Sequence, residues 1–190
     1  MYTTEGIVLK RNAFGEANVL FHILTYDLGL IIASAQSARL LSSKLRSSLQ
    51  EYTHATVAVV KGKNGWKITN AIAKENFFFN YPEFSQKFVS QVSGVLVRMM
   101  PGEENNPDVF RVVLSGFKNL NNFQEKYISS FECLMMLRIL YNLGYVSRDE
   151  QTEKFLVSGE EWGVVVLDEV ILVKKYLIEK INKGLKESQL

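Results

Sequence analysis

A single cysteine, Cys133, excludes an intramolecular disulfide. It lies in the apolar run 131–137, where a small buried thiol is the ordinary reading, and an intracellular, reducing compartment fits it best. That one thiol and two histidines, His22 and His54, cannot furnish a Cys-rich or His-rich ligand set, so no metal is expected. A phosphate-binding Gly-x-x-x-x-Gly-Lys-Ser/Thr loop is missing, and the segment from Lys61 to Gly65 reads instead as a hairpin turn. No Gly-x-Ser-x-Gly elbow surrounds Ser42, Ser43, Ser47 or Ser48, and the acid pairs Glu103-Glu104 and Glu160-Glu161 fall in loops, where they are solvated. Neither a catalytic residue nor a cofactor is expected, and the chain does not read as an enzyme. The start, Met1 to Gly6, has no basic n-region and no apolar h-region, and no stretch of 18 residues is apolar enough to span a bilayer. These absences together indicate a cytoplasmic protein with no membrane partner.

What is present is enough apolar surface for two cores, with 47% hydrophobic and 12% aromatic residues in a chain of 190. The net charge is only +2, but it is uneven: residues 1–80 carry +4 and the remainder −2. This asymmetry points to an anionic partner for the N-terminal part.

Short β-branched and aromatic runs fill the first part, and they predict five strands near residues 2–10, 19–26, 30–35, 53–60 and 66–73. Asp27-Leu28-Gly29 and Asn64-Gly65 supply turns. Five short strands with a longer connection between the third and fourth match the partly open five-stranded barrel that binds single strands or oligosaccharides, although other five-stranded barrels share the pattern. The period changes after Pro82. Helices are predicted from there to Pro101-Gly102, from Pro107 to Phe117, over about 122–143 and over about 168–186, with a polar stretch at 147–163 that holds a turn at Gly159-Glu160-Glu161. The fold class is α+β, with an N-terminal five-stranded OB-fold barrel over 1–80 and an all-helical domain over 81–190.

The connection between the third and fourth strands sets Arg39, Lys44 and Arg46 among four serine hydroxyls, with Leu45 and Leu49 as anchors to the barrel. Cations that release counterions and hydroxyls that hydrogen-bond to phosphate oxygens suit a nucleic-acid backbone. A solvated amphipathic helix would have the same composition.

Met1-Tyr2-Thr3-Thr4-Glu5-Gly6-Ile7-Val8-Leu9-Lys10, then Phe14-Gly15-Glu16-Ala17-Asn18-Val19-Leu20, then Leu24-Thr25 and Gly29 open the chain. Ser43-Lys44-Leu45-Arg46 with Leu49-Gln50, Val60-Lys61-Gly62, Leu137-Arg138-Ile139-Leu140 and Leu143-Gly144-Tyr145 follow in order. This succession resembles the RecO family of bacterial recombination and repair mediators over nearly the whole chain. The resemblance implies an oligonucleotide-binding barrel and a helical domain. It further implies binding of single- and double-stranded DNA, annealing of complementary strands, contact with the acidic C-terminal tail of the single-stranded-DNA-binding protein, and action with RecR in loading the recombinase.

Carried over by position, the DNA-binding residues are Arg39, Lys44 and Arg46 with Lys10 and Arg11, and the tail-binding residues are Arg138 with Leu137 and Leu134. The sequence departs from the family where Leu30, Gln36 and Ser37 replace a frequent Lys, Lys and Gly, and where Asn18 replaces a frequent Asp, which thins the basic surface. A four-cysteine zinc site found in many relatives after the Leu-Gly-Tyr motif has no counterpart here. The competing reading is a protein–protein interaction module with an OB-like barrel and no role in nucleic-acid binding.

Overall fold

Strands β1 (Tyr2–Phe14), β2 (Asn18–Thr25), β3 (Gly29–Ala35), β4 (Thr53–Gly62) and β5 (Gly65–Asn76) follow from the alternation of inward and outward side chains. They close into a barrel of order β1-β2-β3-β5-β4. The computed structural model describes residues 1–40, 42–100, 102–156 and 162–187; Pro101 and the turn at Gly159-Glu160-Glu161 lie outside them. All five expected strands are present, and the barrel is closed rather than partly open. Closure depends on a short parallel pairing between β3 and β5, Ala33 with Trp66 and Ser34 with Lys67, while the other neighbours run antiparallel.

The inward residues Val8, Phe21, Ile23, Ile31, Val57 and Val59 make the barrel core. Leu49 is part of that core and Leu45 packs against it, so the connection is anchored as its two leucines predict. Ile7 and Leu9, which flank the inward Val8, are buried too, so this part of β1 is apolar on both faces. Helix α2 (Glu83–Met99) packs on β1 and supplies the second cover. The compact unit that holds the barrel consequently runs from Met1 to Pro107, beyond the change of period at 80, and the second unit is Asp108–Leu190. The two-sided apolar stretch of β1 keeps α2 with the strands despite its secondary structure.

The second unit contains α3 (Pro107–Asn119), α4 (Glu125–Asn142), the short α5 (Glu153–Leu156) and α6 (Val164–Glu187). Helix α4 is apolar nearly all round, and Ile128, Phe131, Leu134, Leu137 and Ile139 are all buried. Helix α6 packs along it. The polar stretch ahead of α6 is tied down by Asp149, whose carboxylate accepts from the Tyr176 hydroxyl at 2.5 Å and from the Lys180 ammonium. Burial raises the pKa of this carboxyl, but the hydrogen bonds from Lys180, Tyr176 and Thr152 outweigh that effect and hold it below the ordinary value.

Candidate nucleic-acid interface

The connection between β3 and β4 folds into a single helical turn and a half, α1 (Lys44–Ser48), which lies against β5. Its inward leucines leave Lys44 and Arg46 on the exposed side. Arg39 is also exposed; its guanidinium donates to the backbone carbonyl of Glu16 at 3.0 Å and that of Gly15 at 3.4 Å. With Ser37 N–H donating to Asn18 Oδ1 at 3.1 Å, these bonds fasten the start of the connection to the β1–β2 turn. Asn18, a departure from the family's Asp, therefore still closes this link as an acceptor.

A second feature comes from the register. A bulge between Val8 and Lys10 turns Lys10 outward, in one row with His22 on β2 and Ile32 on β3. The next row is Asn12, Leu20, Ser34 and, across the parallel pairing, Lys67 on β5. Phe14, opposite Asn18 in the row beyond, is 57% exposed, and Ile32, in the row of Lys10, is 54% exposed, so apolar groups are also presented on this outer face. Burial, helped by neighbouring Lys10, holds the His22 imidazole below its usual pKa, so it is neutral there at neutral pH. Toward the other end of β3 the face is closed, because Leu30 N–H donates to the Gly102 carbonyl at 2.9 Å and Leu30 is buried. The substitution of a frequent Lys by Leu30 thus fits a covered position.

Arg11, next to Lys10, points elsewhere, as consecutive strand residues do. Its guanidinium donates to Gln50 Oε1 at 2.8 Å, and its backbone N–H to Glu51 Oε1 at 2.9 Å. Ion pairs in this unit are formed by other lysines, Lys61 with Glu103 and Lys74 with Glu5. Among the described residues, Arg39, Lys44, Arg46, Lys10, Arg11 and Lys67 make no ion pair with a carboxylate. Sequence reasoning missed Lys67, Phe14 and Ile32, whose common face depends on strand register. Their alternation within each strand was the only signal available.

The residues expected to meet an acidic tail are placed differently. Leu134 and Leu137 are fully buried and Arg138 is 1% exposed. The Arg138 Nε donates to the Phe155 carbonyl at 2.8 Å and the guanidinium lies over the Trp162 ring. The structure differs from the expected exposed site in its placement of these side chains: the trio forms part of the core of the helical unit, because α4 is covered on the side that carries Arg138 as well as on its apolar stripe. The expected absence of a metal set concerns composition; among the described residues no cluster of three or more His, Cys, Asp or Glu stands together.

Residues 1–77 match the family described as Recombination protein O N terminal. The chain is 30% identical over 172 residues to a DNA repair protein RecO of Thermodesulfovibrio yellowstonii, covering 83% of this chain and 66% of that one. The chain belongs to the RecO family. A RecO from Heliobacterium modesticaldum is 29% identical over 145 residues, 76% of this chain and 52% of the relative, and one from Dehalococcoides mccartyi (strain 195) is 28% identical over 122 residues, 64% and 48%. The chain therefore spans between about half and two thirds of the length of these relatives. Its barrel is the oligonucleotide-binding fold of the RecO N-terminal domain. Among the described residues, no helix is long and apolar enough to cross a membrane.

Proposed function

We propose that this RecO-family chain serves DNA repair and recombination by binding single- and double-stranded DNA through its barrel, without a chemical step of its own. The observation that supports this most is the set of exposed cations, Arg39, Lys44, Arg46, Lys10 and Lys67, none of which makes an ion pair with a carboxylate among the described residues. They border an outer face that offers Phe14 and Ile32 to bases. Phosphates displace counterions at the cations, and unpaired bases rest on the apolar groups, which favours single strands on the face itself.

Strand annealing follows from the same surface. Two repelling backbones are screened together and held at high local concentration, and base pairing supplies the driving force. Assistance in loading a recombinase with RecR, on DNA covered by the single-stranded-DNA-binding protein, is the role proposed from the family. The enclosed Arg138 leaves the docking place for that protein's acidic tail to some other surface.

The test is a titration of fluorescently labelled single-stranded DNA at several salt concentrations. Affinity is expected to fall steeply and log-linearly with salt. Binding that is absent, or indifferent to salt, would favour the protein–protein interaction module instead.

A further inference from the structure

Two adjoining cavities lie in the barrel unit where α2 crosses β1, of about 540 Å³ and about 730 Å³, and they share a wall made by Glu51, Tyr52 and Ser90. We infer that this cleft is a base-stacking subsite for single-stranded DNA, in which an unpaired nucleobase lies against Phe79 while neighbouring phosphates meet Arg11, Lys87 and Arg98. The inference rests on the DNA-binding reading of the barrel and adds a position and a recognition chemistry to it.

The aromatic wall is built and braced. Tyr52 stacks on Phe78 with ring centres 5.1 Å apart and planes at 26°, and Phe78 meets Phe79 edge-on at 6.4 Å. Phe79 is 66% exposed, which leaves its ring accessible at the cleft. One side chain holds the two loops together: Asn76 Nδ2 donates to the Glu51 carbonyl and to Thr53 Oγ1, while its Oδ1 accepts from the backbone of Phe78 and Phe79. From α2, Gln86 Nε2 donates to the Phe78 and Tyr81 carbonyls. Tyr52 itself has φ of 64°, in the left-handed region that non-glycine residues rarely occupy. Such a conformation persists only where its surroundings impose it, and it is concentrated at ligand clamps.

Charge and hydrogen-bonding capacity favour a nucleotide. The walls carry Arg11 and Lys87 in the first cavity and Lys10 and Arg98 in the second, against Glu51 and Glu83. Glu51 already accepts from the Arg11 backbone. Ser93 lines the second cavity, is 2% exposed, and its hydroxyl has no hydrogen-bond partner among the described residues, so a donor or acceptor is waiting there for an occupant. Lys10 belongs both to the second cavity and to the outer row with His22, which makes the cleft continuous with the outer face of the barrel. Flat aromatic faces alongside cations are the combination that grips single strands without reading their sequence.

Two variants test this in the full chain. Phe79→Ala removes an exposed ring and leaves the fold. Gly94→Leu adds a side chain where a Cβ meets nothing within 4 Å and fills the second cavity while strengthening the helix. Each is expected to weaken binding of an oligothymidylate by roughly fivefold to a hundredfold, and Phe79→Ala to do so with an unchanged salt slope. Duplex binding should be unaffected by Phe79→Ala, because paired bases cannot reach the ring. A 2-aminopurine in the strand should be quenched on binding to wild type and Phe79→Trp but not to Phe79→Ala. Wild-type single-strand affinity and quenching in both variants, with normal salt dependence, would overturn the cleft alone; no DNA binding by the intact chain would overturn it together with the reading beneath it. Retention of single-strand binding in Phe79→Ala with loss of an acidic peptide ending in an apolar residue would overturn it in favour of a peptide site.

Discussion

The Arg138 guanidinium stands with its Cζ 4.6 Å from the centre of the Trp162 ring, and its Nε gives a hydrogen bond to the Phe155 carbonyl. A buried cation thus joins α4 to the two segments that flank residues 157–161. Replacing Arg138 by Ala removes the cation–π interaction, leaves the carbonyl unsatisfied and opens a cavity. We expect a loss of about 2–4 kcal/mol in unfolding free energy, measured by urea denaturation. Binding of DNA by the barrel should be preserved. A stability within about 0.5 kcal/mol of wild type would contradict the enclosed placement, since that is the behaviour of surface positions.

Lys44 and Arg46 project from α1 while Leu45 and Leu49 hold it to the barrel. Lys44→Ala combined with Arg46→Ala should leave thermal unfolding unchanged and weaken DNA binding. The magnitude of the salt slope should drop by up to ~1.4 on single strands, about 0.7 for each phosphate that the variant no longer neutralises. An unaltered slope would remove this connection from the interface.

Gly29 shows how the open and closed parts of the outer face are separated. Its φ is 69°, and a Cβ there would sit 2.2 Å from the backbone oxygen of Glu104. Gly29→Ala should therefore combine left-handed strain with a clash against backbone and destabilise the barrel unit by more than about 2 kcal/mol. Gly65→Ala is the control: its φ is 92°, but nothing lies within 4 Å of the added carbon. It should cost only about 1 kcal/mol. Equal losses from chemical denaturation of the two variants would show that the 102–104 segment does not press on the turn.

Asp149 gives the helical unit a defined response to acid. Its carboxyl is held below the ordinary 3.8, against the opposing effect of burial, by Lys180, Tyr176 and Thr152. A group whose folded value is depressed stabilises fully above its unfolded value, and that contribution is lost as pH falls through the folded one. The melting temperature of Asp149→Asn should lie below wild type at about pH 6 to 7, and the gap should narrow progressively below about pH 4. A gap that stays constant down to about pH 2 would mean that the carboxylate charge is not what holds the 147–152 segment to α6.

Much of this architecture could be read from local pattern. Alternating side chains marked five strands because the strand period of two is a property of neighbouring residues, and Leu45 and Leu49 announced the anchored face of the connection by the same logic. Arg138 shows where local pattern stops: a cation on a helix reads as surface until other segments are seen to cover it. Lys67 could not be grouped with Lys10, since no spacing in the chain places β5 beside β3, and Phe14 lies past the expected end of the first strand near residue 10, whereas β1 runs on to it. The α2 cleft was illegible for a similar reason, although the uninterrupted run Ile7-Val8-Leu9 held a hint that β1 needed cover on both sides.

By itself the sequence determined the five strands and the four longer helices, the uneven charge and the cations of the β3–β4 connection, all of which follow from short-range periodicity and composition, while the short α1 and α5 were not among the expected elements. Tertiary structure alone decided that β3 and β5 close the barrel, that α2 completes it, that Arg138 is enclosed, and that Tyr52 and Phe79 face a cleft. Each of those outcomes requires residues far apart in the chain to meet, and which surfaces meet is settled by the joint burial of apolar area over a whole unit rather than by any one segment.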